Sequence, residues 1–232
     1  MPDLNDTFLD YFGAIENKLN TLISQSSGPP PSFYRKVELA QRKNPTVRHF
    51  QDELKTFGDL RNFLSHNNQD NYAMPSNTSV KRIEIIYKRI VQPATAYDKA
   101  GKDVRIVQET DSLRNVLDLI LKTGFTHFPV YRGQEFKGLL TENGLTIWMA
   151  QNDQGGEVKT GSIQIKNVLP REEKVQKENV LFVSRNKAMD EVVEQFTEPH
   201  LRAVLVTENG KSSEKILGII TPWDVLDYQM EN

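Results

Sequence analysis

The sequence predicts an α+β protein, in which an all-helical N-terminal bundle precedes a tandem pair of βαββα repeats. Apolar residues recur at helical spacing through residues 1–84. After them, a pattern of strand, helix, strand, strand and helix occurs twice. Each copy ends in a glycine, two aliphatic residues and a threonine, at Gly138–Thr141 and at Gly218–Thr221. Because an internal repeat constrains architecture more than any single motif does, we take the duplication as the basis of the fold.

The N-terminal segment, residues 1–84, is expected to form the bundle. Helices are predicted over residues 6–24, 32–42, 45–64 and 80–90. Three consecutive prolines end the break that follows the first helix, and a polar stretch at 67–79 precedes the last. The third helix carries more apolar residues than one stripe requires, namely Phe50, Leu54, Phe57, Leu60, Phe63 and Leu64. We therefore expect a homodimer in which some of these side chains are buried between two chains.

The two repeats are predicted at residues 85–151 and 162–232, joined by a linker with three glycines. In the first repeat the predicted elements are a strand at 105–107, a helix at 111–121 and a strand at 128–131. Their counterparts in the second repeat are 181–183, 188–196 and 203–206. Two such units can stack and leave clefts between them, which is where we expect a ligand.

Composition excludes several classes of function. The 29 basic and 31 acidic side chains nearly balance, so nucleic acid is an unexpected partner. The absence of cysteine rules out thiolate metal sites and cysteine nucleophiles, and the four histidines lack metal-ligand spacing. Neither a signal peptide nor a membrane-spanning segment is evident. We expect a soluble cytoplasmic protein without a metal or a cofactor.

The end of the second repeat carries the sharpest chemical signal. Thr221 and Pro222 have the residue types of a helix N-cap and first helical position, where free backbone N–H groups favour an anion such as phosphate. Asp224, one turn in, is placed to accept hydrogen bonds from both hydroxyls of a ribose. Thr-x-x-Asp is also a capping box that needs no ligand, and both interpretations stay open.

With the repeat, these residues resemble the tandem CBS domains of a Bateman module. The resemblance lies in Phe128-Pro129-Val130 with Gly138-Leu139-Leu140-Thr141, and in Arg202-Ala203-Val204-Leu205-Val206 with Gly218-Ile219-Ile220-Thr221-Pro222-Trp223-Asp224. It implies a pseudo-two-fold pair of βαββα units that binds adenine nucleotides or related adenosyl compounds, has no catalysis of its own and regulates a partner. AMP, ADP or ATP are the expected ligands, while a cyclic dinucleotide and S-adenosylmethionine stay open.

The resemblance also implies which residues form the clefts. The first cleft is expected to combine Val104, Arg105, Phe125, His127, Arg202, Thr221 and Asp224, with His127 and Arg202 meeting the phosphate. The second is expected to combine Thr141, Val180, Leu181 and Leu201. Since Gly144 stands where the second cleft's aspartate belongs, we expect that cleft to be weak, empty or filled by a different ligand.

A short motif in the helical segment offers an alternative function. Arg61-Asn62-x-x-x-His66 resembles the signature of HEPN domains, helical bundles that include metal-independent ribonucleases. The resemblance implies phosphate stabilisation by Arg61 and acid–base catalysis by His66, in a nuclease gated by the CBS pair. The two residues also suit a simple role at the C-terminal end of a helix, where cations are favoured. A non-catalytic nucleotide sensor is the principal hypothesis, and the sequence does not identify the protein that it regulates.

Overall fold

The computed structural model describes residues 3–23, 29–66, 74–153, 160–169 and 179–230, without the side chain of His66. It forms two compact units. The helical unit comprises residues 1–94 together with 188–194, and the α/β unit comprises residues 95–187 together with 195–232.

In the described part of the chain, six helices come first, and strands and helices follow them. The helices are α1 (Leu4–Leu22), α2 (Phe33–Ala40), α3 (Pro45–His49), α4 (Gln51–His66), α5 (Asn77–Val91), α6 (Ala96–Lys99), α7 (Leu113–Thr123), α8 (Glu142–Asn152), α9 (Met189–Gln195) and α10 (Pro222–Met230), with a 3₁₀ turn at Ile165–Asn167. The strands are β1 (Val107–Gln108), β2 (His127–Arg132), β3 (Glu135–Thr141), β4 (Val180–Ser184), β5 (Ala203–Thr207) and β6 (Gly218–Ile220).

Side-chain caps explain where several helices of the helical unit begin. Asp3, Ser32, Asn44 and Ser76 each accept a hydrogen bond from a backbone N–H in the first turn of α1, α2, α3 and α5. The helix predicted over 45–64 is in fact two helices, because the backbone of Phe50 leaves the helical region between α3 and α4. Phe50 is buried in the core at 1% exposure.

The apolar side chains of α4 pack mostly inside their own unit. Leu54, Phe57 and Leu64 of α4, with Phe50 just before it, belong to one buried cluster with residues of α1, α2 and α5, and Leu60 packs against it. Phe63 alone among the six predicted residues is substantially exposed, at 41%. The excess of apolar residues on this helix is therefore largely explained by the fold of one chain, and the homodimer stays a prediction. Light scattering at micromolar concentration is its test.

The helical unit extends past the predicted boundary at residues 84 and 85. That boundary falls inside α5, which continues to Val91 with Ile86 and Ile90 buried in the helical core. In sequence, α9 lies between two strands of the second repeat, yet the segment 188–194, which holds all of this helix except Gln195, clusters with the helical unit. Contacts therefore divide the chain at Ala94.

The α/β unit holds two three-stranded sheets with the same topology. In each, the first strand is parallel to the second and the second is antiparallel to the third, in the orders β1-β2-β3 and β4-β5-β6. The register also repeats, since Val130 pairs with Gly138 in one sheet and Val206 with Gly218 in the other. The sequence repeat is thus a structural repeat. Positions in β2 correspond to positions 76 residues later in β5, as Val130 corresponds to Val206.

Candidate functional site

A cavity of about 390 Å³, here cavity A, lies in the α/β unit between the first repeat's loops and the start of α10. Its lining residues are Gly101, Lys102, Asp103, Val104, Arg105, Gly124, Phe125, Thr126, His127, Ile219, Thr221, Trp223 and Asp224. Six of the seven residues predicted for the first cleft are in this set, and Arg202 is the exception. The volume lies in the range of about 300–1,000 Å³ that small-molecule sites occupy.

Thr221 and Asp224 form a local hydrogen-bonded pair at one side of cavity A. The hydroxyl and the backbone N–H of Thr221 both donate hydrogen bonds to Asp224 Oδ2, each at a donor–acceptor distance of 2.7 Å. The hydroxyl proton is thereby engaged, so Thr221 does not offer it to a ligand unless this bond is released. Among the described residues, no hydrogen bond reaches the other carboxylate oxygen, Oδ1. That oxygen is the acceptor that a ligand hydroxyl would find.

The same pair of residue types occurs a second time, at positions that do not line cavity A. At the start of α6, the hydroxyl and the backbone N–H of Thr95 donate to Asp98 Oδ2 over 2.7 and 2.9 Å, and Asp98 N–H donates back to Thr95 Oγ1. These hydrogen bonds hold the pKa of Asp98 below its usual value. Thr95 and Asp98 therefore form a capping box with the same hydrogen bonds from the threonine to the aspartate as Thr221 and Asp224.

The wall opposite α10 is held by backbone pairing. Gly101 N–H donates to the Ile219 carbonyl over 2.9 Å, and Ile219 N–H donates to the Gly101 carbonyl over 3.0 Å. Gly218 permits this close approach, because a Cβ built there would lie 2.7 Å from the Cβ of Ala100 and 3.1 Å from the Gly101 carbonyl oxygen. The segment that carries Val104 and Arg105 into cavity A thus depends on a glycine in β6.

We expect Gly218→Ala to lower the free energy of unfolding of the α/β unit by about 1–3 kcal/mol, because overpacking forces the backbone of residues 100–101 away. Urea titration measures the loss. Gly161→Ala is the matched control, since nothing lies within 4 Å of a Cβ at that position. Equal stability of the two variants would contradict the close approach at Gly218.

His127 lines cavity A as a partly buried side chain. Burial lowers the pKa of its imidazole below the usual value of 6.5, and Arg202 adds to the shift, while Glu142 and Asp224 oppose it. Its Nδ1 lies 3.0 Å from the Thr126 hydroxyl. The sequence predicts a basic residue that meets phosphate at this position, and burial here favours the uncharged form of the ring.

The depressed pKa of His127 predicts a loss of stability in acid. Because the unfolded chain binds the proton more readily, the free energy of unfolding should fall as the pH drops below about 6.5. His127→Gln removes this group, so we expect its melting temperature to fall less than that of the wild type between pH 7.5 and pH 5.5 (about one unit either side of the usual value). If the melting temperatures of the two proteins fall by the same amount between these pH values, burial does not depress the pKa of His127.

The charged side chains at the cavity balance one another. Arg105 pairs with Asp103, its Nε lying 3.0 Å from Oδ1. The side chain of Lys102 turns to its own chain, where its ammonium donates to the Ala100 carbonyl over 2.9 Å and lies 4.0 Å from the centre of the Tyr97 ring. Burial lowers the pKa of Lys102. Arg105, which is half-exposed, is thus the cation at this wall with the freedom to exchange its carboxylate partner for a phosphate.

Arg202 lies in a neighbouring cavity. Cavity B, of about 510 Å³, is lined by Phe196, Glu198, Pro199, Leu201, Arg202, Pro222, Trp223, Val225, Leu226 and Gln229. The strand register also shows which positions correspond in the two repeats. Phe128 pairs with Leu140 as Val204 pairs with Ile220, so Arg202 corresponds to Thr126 and not to His127. The sequence analysis takes His127 and Arg202 as equivalent positions in the two repeats. The strand register moves that equivalence by one residue, from His127 to Thr126.

The second predicted cleft is not gathered in one cavity here. Leu201 lines cavity B, and Thr141 caps α8, its hydroxyl oxygen accepting the Gly144 N–H over 3.1 Å. Gly144 lines a third cavity of about 880 Å³, cavity C, with residues of α8 and of the segment 163–169. Val180 and Leu181 lie in β4. None of these three cavities combines Thr141 with Leu201, and the second cleft stays a prediction.

Trp223 is a site residue that sequence reasoning missed. It lines both cavity A and cavity B, and 74% of its surface is exposed. Its position between Pro222 and Asp224, at the start of α10, was the only signal that the sequence offered.

The motif of the alternative function lies at the end of α4. The guanidinium of Arg61 lies 6.0 Å from the centre of the Phe12 ring and donates to Asn62 Oδ1 over 3.3 Å. His66 is the last residue of α4, and its side chain is outside the described part of the chain. The contacts of Arg61 suit packing on the bundle surface.

Within the part of the chain that the structure describes, no group of histidine, aspartate and glutamate side chains is arranged to hold a metal ion. None of the described helices is long and apolar enough to cross a bilayer.

Comparison with known proteins identifies the repeat. The CBS domain family matches residues 100–150 and 173–231. The uncharacterised protein MJ1225 of Methanocaldococcus jannaschii is 23% identical over 201 residues, which cover 80% of this chain and 70% of the relative.

Among solved structures, the CBS domain pair of protein MJ0100 in complex with 5′-methylthioadenosine and S-adenosyl-L-methionine is 16% identical. It covers 60% of this chain and 98% of its own, with a TM-score of 0.47. A CBS-domain protein from Burkholderia ambifaria MC40-6 is also 16% identical, covers 60% and 96%, and has a TM-score of 0.48. The family match, on the two segments that form the repeated sheets, shows that this chain carries a tandem pair of CBS domains.

Proposed function

We propose that the protein is a non-catalytic sensor, which binds an adenine nucleotide in cavity A and thereby regulates a partner protein. The observation that carries the proposal is the convergence of six predicted ligand residues, drawn from both repeats, on a single cavity of about 390 Å³. Membership of the CBS family supplies the expected class of ligand.

The chemistry of cavity A suits a nucleoside phosphate. Asp224 Oδ1 offers an acceptor to ribose hydroxyls, and a hydrogen bond to a charged carboxylate is about twice as strong as a neutral one. Val104 and Phe125 provide partly buried apolar surface for a base. The first turn of α10 and Arg105 provide a helix N-terminus and a guanidinium for a phosphate.

Two measurements test the proposal. Mass spectrometry of the denatured, freshly purified protein should detect a copurified adenosyl compound. Calorimetric titration with AMP, ADP, ATP and S-adenosylmethionine should then show a preference among them, with GMP as the control for the base. Failure of every adenosyl compound to bind at millimolar concentration would overturn the assignment.

A further inference from the structure

The ring of Tyr97 contacts two cations from different parts of the α/β unit. The Lys102 ammonium lies 4.0 Å from the centre of this ring, and the central carbon of the Arg185 guanidinium lies 4.4 Å from it. An aromatic face attracts a cation within about 6 Å. Lys102 lines cavity A, whereas Arg185 follows the last residue of β4. One ring therefore connects the wall of cavity A with the segment that leaves β4.

Lys102 holds the wall of cavity A against the residues around Tyr97. Its ammonium donates hydrogen bonds to the carbonyls of Tyr97 and of Ala100, the latter at 2.9 Å. Burial lowers the pKa of Lys102, the Asp98 carboxylate opposes this shift, and Arg185 adds to it. The two cations and Asp98 are thus one charge cluster around the Tyr97 ring.

Backbone hydrogen bonds join the same two segments. Tyr97 N–H donates to the Arg185 carbonyl at 3.1 Å, and Ala96 N–H donates to the Lys187 carbonyl at 2.7 Å. The segment 185–187 is therefore held to residues 96–97 by its backbone as well as by the side chain of Arg185.

From this segment the chain runs directly into α9. The residues that follow, 188–194, cluster with the helical unit, although they stand between two strands of the second repeat. There Asp190, buried at 7% exposure, accepts hydrogen bonds from the side chains of Arg89 and Thr46. A change in the order of residues 185–187 therefore passes along the backbone to a helix that is anchored in the helical unit.

We infer that Tyr97 couples occupancy of cavity A to α9, so that the helical unit of the same chain is the first recipient of the ligand signal. The inference rests on the proposed function of cavity A. A ligand in cavity A restricts the wall at residues 101–105. Because Lys102 belongs to that wall, its contacts with Tyr97 then open less often, and the segment 185–187 is held more firmly.

Hydrogen exchange followed by mass spectrometry measures this coupling as the ratio of exchange rates without and with ligand. The probe is the tightest binder among AMP, ADP, ATP and S-adenosylmethionine. At about ten times its Kd, amides whose exchange requires release of the ligand should slow about tenfold. Since part of the opening of residues 188–194 is independent of the ligand, we expect their amides to slow at least about threefold. Helix α1 is the internal control and should slow much less.

Two variants test the role of the ring. Tyr97→Leu removes the aromatic face but keeps the backbone N–H that bonds to Arg185, and Arg185→Gln removes one of the two cations. Neither residue lines cavity A, so each variant should bind the probe within about twofold of the wild-type affinity. Each should reduce the slowing at residues 188–194 to less than about 1.5-fold.

Glu208→Gln is the matched control. It removes the exposed carboxylate that lies 3.3 Å from the Arg185 guanidinium and leaves the Tyr97 ring in place. Because exposed ion pairs contribute little, this variant should keep the wild-type slowing. A merely structural role of Tyr97 would make Tyr97→Leu exchange faster both with and without the probe, so that the ratio of rates would not change.

The outcomes separate this inference from the proposed function. If the probe binds and slows residues 101–105 but not 188–194, the inference alone falls. It also falls if Tyr97→Leu keeps the wild-type ratio, or if α1 slows as much as residues 188–194, which would indicate stabilisation of the whole fold. If none of the four compounds binds, the proposed function falls with it.

Discussion

Replacing Asp190 by alanine is expected to lower the free energy of unfolding of the helical unit by about 3 kcal/mol, the scale for breaking a buried ion pair. Asp190 is buried at 7% exposure and accepts hydrogen bonds from the Arg89 guanidinium and, over 2.5 Å, from the Thr46 hydroxyl. The side chain of Arg89 is itself only 16% exposed and lies 5.5 Å from the centre of the Phe50 ring. The substitution removes the Asp190 carboxylate, which pairs with the positive charge of the Arg89 guanidinium.

The same helix supplies the control. Glu194, also in α9, pairs with Arg48 over 2.5 Å, but both side chains are more than 40% exposed. Because exposed ion pairs contribute about 0–1 kcal/mol, Glu194→Ala should be nearly neutral. Urea titration followed by far-ultraviolet circular dichroism compares the two variants. A loss at Asp190 no larger than that at Glu194 would show that burial does not strengthen this pair.

The repeat was predictable because it follows from local patterns. A strand ending in glycine, two aliphatic residues and threonine places Gly138 and Gly218 opposite valines in the same register. The helix after Thr221 begins at Pro222, as the sequence predicts. Six of the seven residues predicted for the first cleft line cavity A, and the resemblance to CBS domains had grouped them. The α+β class and the tandem CBS pair are therefore confirmed.

What the sequence did not predict depends on distant contacts. Asp190 is separated from Arg89 by 101 positions in the sequence and from Thr46 by 144. The pattern of residues within α9 therefore does not predict either partner. The break at Phe50 reflects burial of that ring in the helical core, which a single stripe of apolar residues does not reveal. The engaged hydroxyl of Thr221 and the shared wall at Trp223 likewise appear only once side chains are placed.

Asp224→Asn is expected to weaken binding of an adenine nucleotide by about 1.5–3 kcal/mol, which is roughly ten- to a hundredfold. The amide keeps the size of the carboxylate but removes its charge and one acceptor, so the two ribose hydroxyls lose their charge-assisted partner. Calorimetry measures the change. A 2′-deoxy nucleotide should bind the wild type more weakly for the same reason, and the deoxy compound should lose little further affinity in the variant.

Asp98→Asn distinguishes ligand binding from helix capping. Asp98 makes the same two hydrogen bonds with Thr95 that Asp224 makes with Thr221, but it is not among the residues that line cavity A. Loss of either cap should lower the melting temperature, since such caps contribute about 0.5–2 kcal/mol. Only Asp224→Asn should also reduce nucleotide affinity. If the two variants lose stability alike and both bind nucleotide like the wild type, Asp224 is a cap and the ribose lies elsewhere.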